Sequence, residues 1–489
     1  MKTLLIALSF VLTSITIIAQ NTTEPYRINK EDLLKYDRIL SSPEYGGRLP
    51  GSEGYNKAAQ FAADKFKELG LKPAGDENYF QYFNIEYNRI DSPAVFKAIV
   101  GSDTTNYKLG KDFVLRGFTG SNKFTLPVVF CGYGISRPDI NYDDYAGVNV
   151  KNKIAMVFKY DPRWKKDGKD WGENYPREKS LTAKKHGAKG ILFVSLPNDR
   201  EPQPLIGSVL HGEGDQPADF PQLHISLDAA NMLLSRTGFN ISECQANIDS
   251  SKAPFSFNLQ TKAFVETNAK YEKDTRTMNV VGVIEGSDPV LKKEYVIIGA
   301  HLDHVGTQAG LLFPGANDNA SGSSAVLEIA KAFVKSGIKP KRSVIFVLFA
   351  GEEQGLNGSK HFVESWKDGY KNVTAMLNLD CIAYGDSIKI GNGKSAPDLW
   401  QIAKQIDEAN THSMVNATWK GGGADATPFH EKGIPCLYFV TTNSYDHLHL
   451  PSDKVETLNG PLFERIVTLA YKTAAEISNG SYKREKIVN

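Results

Sequence analysis

Four cysteines in 489 residues are too few to hold a chain of this length together by disulfides. Cys131, Cys244, Cys381 and Cys436 lie far apart, and none has zinc-ligand spacing. They are expected to be mostly free structural thiols, with room for one bridge. Long apolar runs are lacking as well: beyond the N-terminus no segment is apolar enough to cross a membrane. Charge of one sign does not accumulate either. Fifty-seven Lys and Arg against 56 Asp and Glu leave a formal net charge of +1. No basic stripe suits nucleic acid, and no acidic block forms a disordered tail. Internal repeats and low-complexity tracts are also missing. The remaining choice is a folded chain whose 41% hydrophobic content is enough for a sizeable core. Its length calls for two or three domains.

The one apolar run is N-terminal. Met1-Lys2-Thr3 precedes Leu4–Val11, and a stretch broken by Thr13, Ser14 and Thr16 ends in Ile17-Ile18-Ala19-Gln20. This reads as a secretory signal peptide over 1–19, cut after Ala19. The mature protein is then expected to be periplasmic or secreted, with no stable membrane insertion after cleavage.

Helical spacing is expected over Glu31–Leu40 and Ser52–Leu69, the second stopping at Gly70. Strand-like patterns follow around Tyr79–Tyr87. From about 92 to 262 the character changes to a β-rich module: Ala94–Val100, Leu126–Phe130, Lys153–Phe158 and Gly190–Val194 read as strands, with one clear helix at Ser180–Lys189. His211 and His224 are isolated there, so the module is expected to supply no metal ligand and to act as a lid. Strands alternating with helices resume at Asn279–Glu285. The expected fold class is α/β, a mixed and mostly parallel sheet with helices on both faces, plus the inserted module. The division is 20–91 and 263–489 for the main domain and 92–262 for the insert.

The chemistry gathers in Ala300–Asp453, where acids and histidines follow apolar runs. Tyr295–Gly299 precedes His301-Leu302-Asp303, Val344–Ala350 precedes Glu352-Glu353, Met376–Leu379 precedes Asp380, and Pro435–Val440 runs toward His447-Leu448-His449. Sites in open α/β sheets form beyond the carboxyl ends of strands. A His-x-Asp pair alone carries little, but beside a carboxylate an imidazole is held in one tautomer as a metal ligand. Asp318 opens a helix around Ser323–Phe333. Asn319 and Ser321 fit the capping role there, which frees the Asp318 carboxylate to bridge two metals. Of the adjacent acids Glu352 and Glu353, one can bind metal while the other moves the proton. Either His447 or His449 satisfies the chemistry. His304, His361, His412 and His430 are expected to be satisfied polar residues and not ligands. Imidazole and carboxylate donors without cysteine suit catalytic zinc.

At these positions the chain resembles the co-catalytic di-zinc aminopeptidases, relatives of glutamate carboxypeptidase and the transferrin receptor. The motifs that carry the resemblance are His301-Leu302-Asp303, Asp318-Asn319-Ala320-Ser321-Gly322, Gly351-Glu352-Glu353, Asn378-Leu379-Asp380 and His449-Leu450-Pro451-Ser452-Asp453, in order. Gly47–Gly51 and Asn279–Gly282 resemble its flanking signatures. The insert resembles a protease-associated domain, through Val128–Gly134, Tyr142–Tyr145, Val148–Ile154 and Ala183–Val194. The resemblance implies two Zn2+: His301 and Asp380 on one, Glu353 and His449 on the other, Asp318 bridging. Asp303 would orient His301 and Glu352 would be the general base. Implied too is hydrolysis of N-terminal residues from peptide substrates through a hydroxide shared by the metals. Leu448 stands where the family often has tyrosine; Tyr445 is a candidate replacement. Asp425 stands at a family Ser-Asp position and is read as structural. The alternatives are a dipeptidase or carboxypeptidase on the same site, and a non-enzymatic binding homologue.

Overall fold

The computed structural model of the chain describes residues 26–488 apart from 173–174, 213, 338 and 367–369. The expected signal peptide therefore lies outside the described residues. Among the described residues no helix is long and apolar enough to cross a membrane.

Eleven strands and ten helices suffice to place the site. The strands are β1 (Phe80–Val100), β2 (Asn122–Cys131), β3 (Ile154–Phe158), β4 (Gly190–Val194), β5 (Gln222–Ile225), β6 (Ser256–Ile284), β7 (Tyr295–His301), β8 (Ser343–Phe349), β9 (Val373–Leu379), β10 (Ile388–Gly391) and β11 (Cys436–Thr441). The helices are α1 (Lys30–Leu40), α2 (Glu53–Glu68), α3 (Pro176–Lys185), α4 (Leu227–Leu234), α5 (Ile241–Ser251), α6 (Ser321–Lys335), α7 (Asn357–Glu364), α8 (Pro397–Ala409), α9 (Ala426–Glu431) and α10 (Gly460–Ser478).

One sheet runs through the molecule in the order β10-β11-β9-β7-β8-β6-β2-β3-β4-β5. One half is parallel at β11, β9, β7 and β8, with β10 and β6 antiparallel at its flanks. The four parallel strands are apolar runs, buried almost end to end, because helices cover both faces. Alternation along β7 sorts its residues: Val296, Ile298 and Ala300 pack with α1, α2, α6 and α10. Ile297 packs on the opposite side with Phe362 of α7 and Phe429 of α9.

The insert repeats the arrangement on a smaller scale, with β2, β3, β4 and β5 parallel. α3 covers one face through Ala183, and α4 and α5 cover the other through Leu233 and Ile248. Only the first of these three helices is visible in the sequence pattern. α3 begins earlier than its apolar spacing suggests, since Pro176 suits a first helical position, and it ends before Gly187 in the left-handed region.

What joins the halves is the antiparallel pair β1–β6, which runs from Phe80 opposite Val280 to Ile99 opposite Lys262 with register shifts between Glu266 and Asn268 and between Glu272 and Thr275. The two expected runs Tyr79–Tyr87 and Ala94–Val100 belong to the single strand β1. The positions 91/92 and 262/263 lie inside β1 and β6, so the insert is carried on extended strands and not on flexible linkers.

Candidate metal centre

Since β7, β8, β9 and β11 are parallel, their carboxyl ends share one edge. His301 is the last residue of β7, Glu352 and Glu353 turn away after β8, Asp380 follows β9, and the loop after β11 leads to His449. Asp318 reaches the same point from the turn before α6. There Asn319 Oδ1 accepts the Gly322 N–H at 2.8 Å and its amide donates to Leu379 O at 3.0 Å. Asn319 thus does the capping, and the Asp318 carboxylate is free of it. The Asn317 and Asp318 N–H groups donate to Asp453 at 2.8 and 3.0 Å, which fixes the turn.

Asp318 lies between two donor sets. Its Oδ1 is 3.4 Å from His301 Nε2, which is also 3.4 Å from Asp380 Oδ1. Its Oδ2 is 3.1 Å from His449 Nε2, which is 2.9 Å from Glu353 Oε2. His447 instead contacts Ser452 Oγ at 2.9 Å and stacks edge-on to Tyr384, away from these groups. Asp303 is fully buried. Its carboxylate accepts the N–H groups of Glu352 and Glu353 at 3.2 and 3.3 Å. His301 Nδ1 is 3.2 Å from the Asp303 carbonyl and 3.7 Å from its carboxylate. Asp303 therefore ties the paired-glutamate turn to β7 as well as flanking His301.

His304 departs from expectation. Expected to be a satisfied polar residue and not a ligand, it lies among the candidate ligands: its Nδ1 is 2.9 Å from Glu353 Oε1 and 3.7 Å from Asp318 Oδ2. The available signal was its position, three residues after His301 on the same strand end. Tyr438 on β11 was also missed; its hydroxyl donates to Asp380 Oδ2 at 2.9 Å. Only strand pairing brings it there, so no local pattern marks it. Asp425 is fully buried and raises the Glu352 carboxyl. Leu448 packs with Cys381, Tyr438 and Val440. Tyr445 is more than half exposed; its phenol is pushed up to about 12 by partial burial and then by Cys381 and Asp380.

The electrostatics call for cations. Burial, then the Glu353 charge, hold the Glu352 carboxyl well above the usual range, although His301 opposes them. Burial also raises the Asp303 carboxyl, to about 6. Burial opposes ionisation of Glu353 too, but His449 and His304 overcome it and hold this carboxyl low. Asp380 Oδ1 is buried without a hydrogen-bond partner. So many buried carboxylates around three imidazoles are costly unless paired or metal-bound. Two overlapping groups have metal-holding spacing: His301, Asp318 and Asp380, and His304, Asp318, Glu353 and His449. The residues present thus fit zinc, which takes such N and O donors.

The insert supplies none of these groups, but it touches the rim. His224 is buried within the insert, 2.9 Å from Ser195 Oγ. His211 lies beside Gly355, on a cleft of about 520 Å³ that also borders Glu86, Arg177, Gln354 and Lys360. Gly207 donates its N–H to His449 O at 2.8 Å. A Cβ on Gly207 would lie 2.7 Å from side-chain atoms of both Val305 and Phe313. Gly207→Ala is therefore expected to lower stability by about 1–3 kcal/mol, the usual cost of overpacking. Denaturant unfolding measures this, and an unchanged midpoint would mean that the insert does not press on the rim. All four cysteines are buried and unpaired.

The Peptidase family M28 model matches residues 279–474, and the PA domain model matches 124–233. Aminopeptidase YwaD of Bacillus subtilis is 23% identical over 435 residues, covering 86% of this chain and 78% of that protein. A glutamate carboxypeptidase 2 homolog of Caenorhabditis briggsae is 22% identical over 515 residues; the match covers 85% of this chain but only 62% of that protein. The solved zinc aminopeptidase BSAP from Bacillus subtilis superposes with a TM-score of 0.65 at 20% identity, over 94% of this chain and 98% of that one. The fold is therefore that of the zinc aminopeptidases. The M28 match lies on the strand ends that carry the site, so residues 279–474 are similar to the Peptidase family M28 domain, and with the aminopeptidase relatives this marks the chain as a metallo-exopeptidase with an inserted PA domain.

Proposed function

We propose that the chain is an exported aminopeptidase that removes N-terminal residues from peptides at a site for two zinc ions. One observation carries the reading: the two oxygens of Asp318 face two separate donor sets, His301 with Asp380 and Glu353 with His449. Export rests on residues 1–19 alone. Bound zinc would polarise the scissile carbonyl and acidify water.

The rest of the work falls to side chains. Glu352 precedes the ligand Glu353 on a turn held by Asp303, and burial keeps its proton affinity high. It would take the proton of the attacking water and pass it to the departing amine. Tyr445, partly exposed beside Asp380, would take the place of the tyrosine that Leu448 replaces. Asp303, Asp318, Glu352, Glu353 and Asp380 favour an ammonium near the scissile bond over a carboxylate.

A carboxypeptidase would need an arginine fork for the substrate's terminal carboxylate. Arg48 is committed elsewhere: its guanidinium donates to the carbonyls of Leu40, Leu302, Pro314 and Gly315 at 2.7–2.8 Å. Arg177, on the cleft, is bound by both oxygens of Glu86 at 2.8 Å. The test is a short peptide against its N-acetylated form. Cleavage of the free peptide and loss of cleavage on acetylation are expected. Equal hydrolysis of both would reject aminopeptidase action, and preferential release of the C-terminal residue would promote a carboxypeptidase.

A further inference from the structure

His304 is held in place from three directions. It is fully buried. Its backbone N–H donates to Arg48 O at 3.3 Å, and Arg48 is itself anchored by four carbonyls. Its ring lies on Gly315, in the left-handed region; a Cβ there would come within 2.5 Å of ring carbons Cγ and Cδ2. The Nε2 atom is buried without a hydrogen-bond partner. The Nδ1 atom faces oxygens of Glu353 and Asp318 at 2.9 and 3.7 Å.

The donor spacings around this point are those of a coordination shell. His449 Nε2 stands 2.9 Å from Glu353 Oε2 and 3.1 Å from Asp318 Oδ2. The donor atoms of His304, Asp318, Glu353 and His449 all lie within 4.8 Å of one another. Four protein donors with a fifth position kept for water, at bonds of about 2.0–2.1 Å, stand about 2.9–3.6 Å from their neighbours, and the observed distances of 2.9, 3.1 and 3.7 Å cover that range. A hydrogen bond from Nδ1 to Glu353 alone would explain one of these contacts but not the approach to Asp318.

We propose that His304 Nδ1 is a fourth protein donor to the metal position formed by Asp318, Glu353 and His449. This rests on the two-zinc reading above. That position would then carry two imidazoles, and the position of His301, Asp318 and Asp380 would carry one. The sites are unequal as a result: the His304 position binds zinc more tightly, and the other releases it first.

X-ray absorption at the zinc edge, with metal content measured on the same sample, tests this without a variant. With two zinc ions per chain, about 1.5 imidazoles per zinc are expected, three histidines over two metals. A value of about 1.0 overturns the proposal and leaves His304 as a hydrogen-bond donor to Glu353. A content of one zinc per chain would defeat the two-zinc reading. The imidazole number on that single ion still decides here: about two supports His304 as a donor, about one rejects it. His304→Gln should then lower the count by about half an imidazole per zinc in the two-zinc protein. An unchanged count in that variant also overturns the proposal.

Discussion

Glu352→Gln is expected to slow peptide hydrolysis by roughly 10²–10⁴-fold, the usual contribution of a general base, while both metals stay bound. The two adjacent glutamates divide by geometry. Glu353 faces His449 Nε2 and His304 Nδ1, each at 2.9 Å, and belongs to a metal-holding group. Glu352 belongs to neither such group. Its environment is instead that of a group made to hold a proton, since burial and the Glu353 charge both raise its carboxyl. Glutamine keeps the shape and loses the base. Glu353→Gln should by contrast weaken metal retention together with activity. Elemental analysis of both variants beside their turnover numbers separates the roles. If Glu352→Gln lost zinc and Glu353→Gln kept it, the assignment of the pair would be reversed.

Removal of metal by a chelator should abolish hydrolysis altogether, and zinc should restore it. The stripped protein should also be less stable. Without cations the buried carboxylates of Asp318, Glu353 and Asp380 face one another across imidazoles alone, and Asp380 Oδ1 has no hydrogen-bond partner. A ligand that binds only the folded state at a free concentration of about 1,000 times its Kd contributes about 4 kcal/mol per site. Thermal unfolding of stripped and reloaded protein measures this directly. Full activity in protein holding less than one metal per chain would rule out the two-zinc reading.

Much of the site was legible before any tertiary contact was known. β7, β8, β9 and β11 announce themselves as short apolar runs because strands covered by helices on both faces must be apolar throughout. Each run stops at a polar residue where the strand emerges, so His301, Glu352, Asp380 and the loop toward His449 mark strand ends by local chemistry. The Asn319 cap on α6 is likewise a three-residue matter. The union of the runs around Tyr79–Tyr87 and Ala94–Val100 into β1 was hidden, because the polar residues Asn88, Arg89, Asp91 and Ser92 interrupt the apolar pattern between them. The partner strand β6 is what makes them continuous. Helices α4 and α5 were missed as well, inside a module whose strands dominate its pattern.

By itself the sequence determined the strands and the turns after them, and hence which acids and histidines could gather at one edge of the sheet. These are short-range properties, set by burial period and capping within a few residues. Only the tertiary structure decided which of those groups meet. The contact of His304 with Glu353 and the bond from Tyr438 to Asp380 depend on segments 49 and 58 residues apart in sequence, whereas His449 over His447 was already implied by the resemblance at His449-Leu450-Pro451-Ser452-Asp453. The engagement of Arg48 by the carbonyls of Leu302, Pro314 and Gly315 likewise joins distant segments. No local pattern encodes such pairings, because each results from packing separate strand ends and loops into one buried volume.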